Sequence, residues 1–158
     1  MYHNANLLKI KIMADDLKIT KSQLLRLLKY RYFGPPLLVL ASLHFLGMLS
    51  FYYTTTWYDS ALHLAGGFWI GLIYLEWARI RNEKFILSEA EVFKVILFAL
   101  MIGLAWEVFE VVYDLTFAEN SGFLPLNGGL FDTAKDLILD MVGALIATFT
   151  IRHNRKEA

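Results

Sequence analysis

The chain has no cysteine and three prolines among its 158 residues, and only 19% of its residues are charged. Without cysteine there is no disulfide framework and no thiolate metal site. A soluble domain carries about 25% charged residues and 45–50% apolar ones, whereas this chain is 57% hydrophobic. Signatures of soluble catalysis are also missing: no nucleophile elbow, no phosphate loop and no metalloprotease helix motif. A diiron carboxylate centre needs two Glu-x-x-His segments, and Glu107 and Glu110 have no histidine at that spacing. Nucleic-acid binding has no support, because the basic residues are better explained by membrane topology. No internal repeat or low-complexity segment is present.

What the chain does have is long apolar blocks, each near the roughly 20 residues that cross a hydrocarbon core. Four spans are expected, at about Pro36–Thr54, Asp59–Ile80, Val92–Asp114 and Asp132–Ile151. The expected fold is all-α: a four-helix transmembrane bundle over 35–152, a basic amphipathic cytoplasmic segment over 1–34, and a cytoplasmic tail over 153–158. Gly34-Pro35-Pro36 suits a helix start, and Ser88 with Glu91 has capping-box spacing. The leucines at 24, 25, 27 and 28 among Lys21, Arg26, Lys29 and Arg31 suggest a short helix on the membrane surface; a solvated tail fits equally.

Sidedness follows from the cations. Of 15 lysines and arginines, all but Lys135 fall on one side of a four-span arrangement. Basic flanks stay cytoplasmic, so both termini are expected inside a bacterial or archaeal plasma (inner) membrane. Tyr30, Tyr32 and Trp77 would mark the inner interface, and Tyr52, Tyr53, Trp57 and Tyr58 the outer one.

Ionisable residues inside the spans carry the functional signal. Asp59 and His63, then Glu107, Glu110 and Asp114, then Asp132, Asp136 and Asp140 each follow three- or four-residue steps, which place them on one helix face. Each stripe continues into glycine (Gly66 and Gly67, Gly103, Gly143), and small residues let membrane helices approach closely. In the expected topology all three stripes occupy the outer half of the bilayer. A carboxylate near the bilayer centre costs about 2.5–3.5 kcal/mol on insertion scales. Several close carboxylates need a shared proton or cation, and Lys135 and His63 are too few.

His63, Glu107, Glu110, Asp136 and Asp140 are therefore the candidate ligands of a divalent cation: Mg, Ca, Mn or Zn by donor chemistry. Glu107 or Asp140 would serve as base if the site is catalytic. Asp59, Asp114, Asp132 and His44 form a rim or floor. Bland roles fit some of these: Asp59 and Asp132 suit N-caps, Asp114 a solvated loop, His44 a hydrogen-bonded core position, and Glu76 an ion pair near Arg79. The expected ligands beyond the cation are membrane lipid and a polar lipid or envelope headgroup. Two alternatives stay open: a non-catalytic subunit, as a homo-oligomer or within a larger membrane complex, and an ion or proton-relay element.

Asp59-Ser60-Ala61-Leu62-His63, Trp106-Glu107-Val108-Phe109-Glu110, and Asp132-Thr133 leading to Asp136, Asp140, Gly143 and Ala144 resemble the YjdF-type small membrane proteins. The likeness to VanZ-like proteins is more distant, since Ser60, Glu110 and Asp140 depart from that pattern. The resemblance implies a multi-pass prokaryotic membrane protein without an established activity. VanZ-like members, linked with glycopeptide tolerance, hint at envelope chemistry.

Overall fold

The computed structural model describes residues 33–82, 85–118 and 125–154, and these are all helical or connecting segments, with no strand among them. The expected amphipathic helix before residue 33 lies outside the described residues. Helix α1 spans Gly34–Leu46 and continues through a π-helical turn, Gly47–Phe51, into a short turn at Tyr52–Thr54. Helix α2 spans Tyr58–Arg81, α3 spans Glu89–Tyr113 with a π-helical extension over Asp114–Ala118, and α4 spans Leu130–Asn154. The element boundaries fall within a few residues of the expected spans.

Local chemistry sets several of these ends. A proline occupies the first turn of α1, where its missing N–H costs nothing. Ser88 caps α3 by accepting from the Glu91 backbone N–H at 3.3 Å. The reciprocal half of the capping box is absent: the Glu91 carboxylate takes Lys94 at 2.6 Å and Tyr74 at 3.4 Å instead. Asp59 and Asp132 are not N-caps. Trp57 holds the cap position of α2, and Asp132 lies inside the first turn of α4. Their charges still favour those turns, since helix N-termini attract anions.

Each packed helix buries one stripe. On α2 it is His63, Gly67, Gly71, Leu75 and Ala78; on α3 it is Val95, Ala99, Gly103, Glu107 and Glu110. On α4 it runs Asp136, Asp140, Gly143, Ala144, Ala147 and Thr148. Aligned, the stripes make three layers: polar at one end, glycine in the middle, apolar at the other. The apolar layer comprises Leu75, Ala78, Phe85, Val95, Ala99, Ala144 and Ala147.

Glycine makes the middle layer possible. A Cβ at Gly67 would overlap the backbone of Asp140, lying 2.5 Å from its Cα, and one at Gly143 would lie 2.6 Å from the Phe68 nitrogen. A Cβ at Gly71 would sit 2.9 Å from Ala147 Cβ. α2 and α4 thus meet almost backbone to backbone. α1 is different: it contributes no buried side chain and stands at the side of the bundle.

The outer surface reverses a soluble protein's polarity. Phe93, Leu97, Met101, Leu104, Val108, Val111 and Val112 on α3 are all exposed, as are Leu38, Val39, Phe45 and Leu49 before the first bend. Soluble monomers rarely expose contiguous apolar patches beyond a few hundred Å². Gly34–Phe51 and Glu89–Ala118 are long and apolar enough to cross a membrane, at 18 and 30 residues. α2 and α4 are less apolar because ionisable residues are spread along them, Asp59, His63, Glu76, Arg79 and Arg81 on α2 and Asp132, Lys135, Asp136, Asp140 and Arg152 on α4.

Candidate metal and ligand centre

The polar layer converges on His63. Its Nδ1 lies 3.3 Å from Asp140 Oδ2 on α4. Its Nε2 lies 3.8 Å from Asp59 Oδ1, one turn earlier on α2, and 3.8 Å from Glu107 Oε1 on α3. Side chains on a helix lean toward its N-terminus, which is why the imidazole reaches back to Asp59. Three helices therefore place three carboxylates around one ring.

Asp136 completes the set. Asp59, His63 and Asp136 each offer a ligand atom, and the three atoms lie within 4.8 Å of one another. Atoms so spaced leave a point within about 2.8 Å of all three, close to the 2.3–2.6 Å of calcium–oxygen bonds. Asp136 is 2% exposed and Glu107 is 5% exposed. Asp136 Oδ1 and Glu107 Oε1 are fully buried oxygens without a hydrogen-bond partner, the other such atom among the described residues being Arg79 Nε. Lys135 stands 3.5 Å from Asp136 Oδ1, outside hydrogen-bond geometry, and is paired with Asp132. A buried oxygen without a hydrogen bond is costly, about 1–3 kcal/mol and more when charged, and Glu107 Oε1 is such an atom 3.8 Å from the imidazole.

The remaining candidates divide by what they touch. The second oxygen of Glu107, Oε2, accepts from the Thr133 hydroxyl at 2.6 Å, which holds the carboxylate in place. Glu110, buried on the same face, accepts from Trp106 Nε1–H at 2.9 Å. Asp114 leaves the cluster altogether, accepting from the backbone N–H groups of Leu126 and Asn127 at 2.7 and 2.9 Å. It fastens the segment before α4 to the end of α3. His44 sits 2.6 Å from the Tyr52 hydroxyl and edge-on to Trp106, with centroids 4.8 Å apart. The π-helical turn brings Tyr52 there, its ring passing over Gly47, where a Cβ would lie 2.8 Å from Cδ2. Glu76 pairs with Arg79 at 3.7 Å, as its spacing suggests.

Sequence reasoning passes over Thr133, Trp106 and Tyr52 as site residues. Thr133 was open to inference, since it stands one turn before Asp136 on the same face. The sequence marks Tyr52 only as an aromatic of the outer interface, not as a partner of His44.

Beside the polar layer lies a cavity of about 290 Å³ between α1, α2 and α3. Asp59, His63 and Asp140 line one end of it, and Leu37, Leu40 and Ile70 the other.

A family model described as "Predicted membrane protein (DUF2238)" matches residues 32–156. The chain belongs to the DUF2238 family. It is a membrane protein, in keeping with its exposed apolar helices, and the YjdF-type resemblance is to this family. The match lends the VanZ-like resemblance no support. Neither a curated protein nor a solved structure gives a significant match. The family description carries no activity, so the chemistry of this member rests on its own geometry.

Proposed function

We propose that this DUF2238 member is a four-span protein that holds a divalent cation between α2, α3 and α4, in the outer half of the membrane. The carrying observation is that Asp59, His63 and Asp136 offer ligand atoms within 4.8 Å of one another, beside a buried Glu107 Oε1 that has no hydrogen-bond partner and lies 3.8 Å from a histidine already fixed by a carboxylate. Metal-bound histidines commonly donate their second ring N–H to a carboxylate, which sets the tautomer and aims the other nitrogen at the ion. Here Asp140 fills that orienting role toward Nδ1, leaving Nε2 for the cation. Asp59, His63 and Asp136 are the ligands, with Glu107 as a fourth held by Thr133. Three carboxylates with one imidazole suit Mn or Zn, and the oxygen majority also admits Mg or Ca.

The four-span reading follows from the same arrangement. α2 has 24 residues and α4 has 25, so each runs about 36 Å, longer than a roughly 30 Å hydrocarbon core. Their acids point into the bundle and need not meet lipid. With 14 of 15 basic residues on one side, the polar layer falls on the opposite, outward side. The apolar layer of Leu75, Val95 and Ala144 closes the inner half below Asp140, which disfavours a through-path for ions in one copy of the chain.

Elemental analysis of the purified protein tests the cation. The wild type is expected to retain about one divalent ion per chain, Asp136→Asn to lose it, and Asp140→Asn to weaken it roughly 10–100-fold, the usual effect of removing an orienting carboxylate. A metal-free wild type whose thermal stability ignores added Mn, Zn, Mg and Ca contradicts the proposal.

A further inference from the structure

The cavity and the polar centre share residues, and that overlap identifies a ligand class. Along α2 the cavity wall runs from Asp59 through His63 and Gly66 to Ile70, a rise of about 16 Å at 1.5 Å per residue. Its Asp59 end is polar and aromatic, with His44, Tyr52, Trp106 and Asp140. Its far end is apolar, with Leu37, Leu40, Ala41, Ile70 and Ala99. Asp59 and His63 belong at once to this wall and to the candidate metal ligands. A ligand seated here meets a cation at its head and hydrocarbon along its length.

We infer that the chamber holds one chain of a phosphate-headed amphiphile, whose phosphate completes the coordination of the cation. This rests on the cation reading and extends it to a ligand. The acidic layer excludes a bare anion, so a phosphate needs the bound ion as its bridge. The polar-to-apolar gradient excludes a wholly polar solute. α1, which buries no side chain of its own, forms the wall that separates the chamber from surrounding lipid. The volume is small, near the lower end of ligand pockets at roughly 300 Å³, and suits a single unbranched chain.

Gly66 supplies a selective test, because a Cβ built there meets nothing within 4 Å although the residue lines the chamber. Gly66→Leu fills the space without moving the backbone, and Ala41→Phe fills it from α1. Calorimetric titration of the full chain in maltoside micelles would compare decyl phosphate, decanol and inorganic phosphate, with Mn or with EDTA. The wild type with Mn is expected to bind decyl phosphate at least about tenfold more tightly than inorganic phosphate or decanol. EDTA is expected to abolish that preference, and each filling variant to lose about tenfold in decyl phosphate affinity while binding Mn as before. Inorganic phosphate binding as tightly as decyl phosphate, decyl phosphate binding that ignores EDTA, or unchanged affinity in both filling variants overturns the inference. Loss of Mn binding from the wild type itself refutes the cation site instead, and the Mn titration run alone separates the two failures.

Discussion

Two adjacent glycines should respond oppositely to the same added methyl. Gly67 faces α4, and a Cβ there would stand 2.5 Å from Asp140 Cα and 2.6 Å from its carbonyl carbon. Ordinary carbon contacts need about 3.5–4.0 Å, so Gly67→Ala must push α4 away by about 1 Å or bend one of the helices. Backbone atoms cannot swing aside as a side-chain tip can. Overpacking of this kind costs about 1–3 kcal/mol, and it also stretches the 3.3 Å contact between His63 and Asp140. At Gly66 the new Cβ meets open space. There the helix gains intrinsic propensity, up to about 1 kcal/mol over glycine. Denaturant unfolding of the purified protein, followed by tryptophan fluorescence, should separate the variants by about 2–4 kcal/mol. Gly67→Ala should also bind Mn more weakly, while Gly66→Ala should not. Equal stability of the two variants would refute the close α2–α4 crossing on which the centre depends.

The lack of native cysteine makes topology directly measurable. Single cysteines at Thr56 and Leu130 should react with an impermeant maleimide on intact cells, whereas one at Ile86 should react only after lysis; the reverse pattern would invert the orientation. Removing a charge should act in opposite directions with and without metal. In EDTA, Asp136→Asn removes the charge of a buried carboxylate whose Oδ1 has no hydrogen bond and meets Lys135 only at 3.5 Å, and should stabilise the protein by about 1–3 kcal/mol, while with saturating Mn the wild type should be the more stable in thermal unfolding. Protons compete for the same ligands, so Mn affinity should fall at least about tenfold between neutral pH and roughly pH 5. A titration showing affinity that is flat or rises as the pH falls would argue against carboxylate and imidazole ligands. Thr133→Val leaves Glu107 without its 2.6 Å hydroxyl donor and should weaken Mn binding severalfold without altering the helical content seen by circular dichroism.

Much of the bundle was legible because its stripes are periodic. His63, Gly67 and Gly71 recur every four residues, as do Ala99, Gly103 and Glu107, and each set is buried. Such spacing constrains which face turns inward whatever the neighbours are. The membership of the centre was less legible, because a carboxylate's direction depends on partners from other helices or the next turn. Glu110 has the spacing of a ligand yet turns to Trp106, four residues earlier. Asp59 looks like a rim or capping residue, yet the backward lean of His63 draws it into the centre. Asp114 looks like a loop acid and in fact organises the approach to α4. The chamber was not legible at all. It exists because α1 stands off from α2 and because a π-helical turn at Gly47–Phe51 folds Tyr52 over Gly47, and neither follows from local spacing.

Pulsed electron paramagnetic resonance of Mn bound to the purified protein tests the central claim most directly. One Mn per chain should show modulation from a directly coordinated imidazole nitrogen, and His63→Ala should remove that modulation. Wild-type protein that binds no Mn, or binds it with the same nitrogen signal after His63→Ala, would contradict a cation centre built around His63.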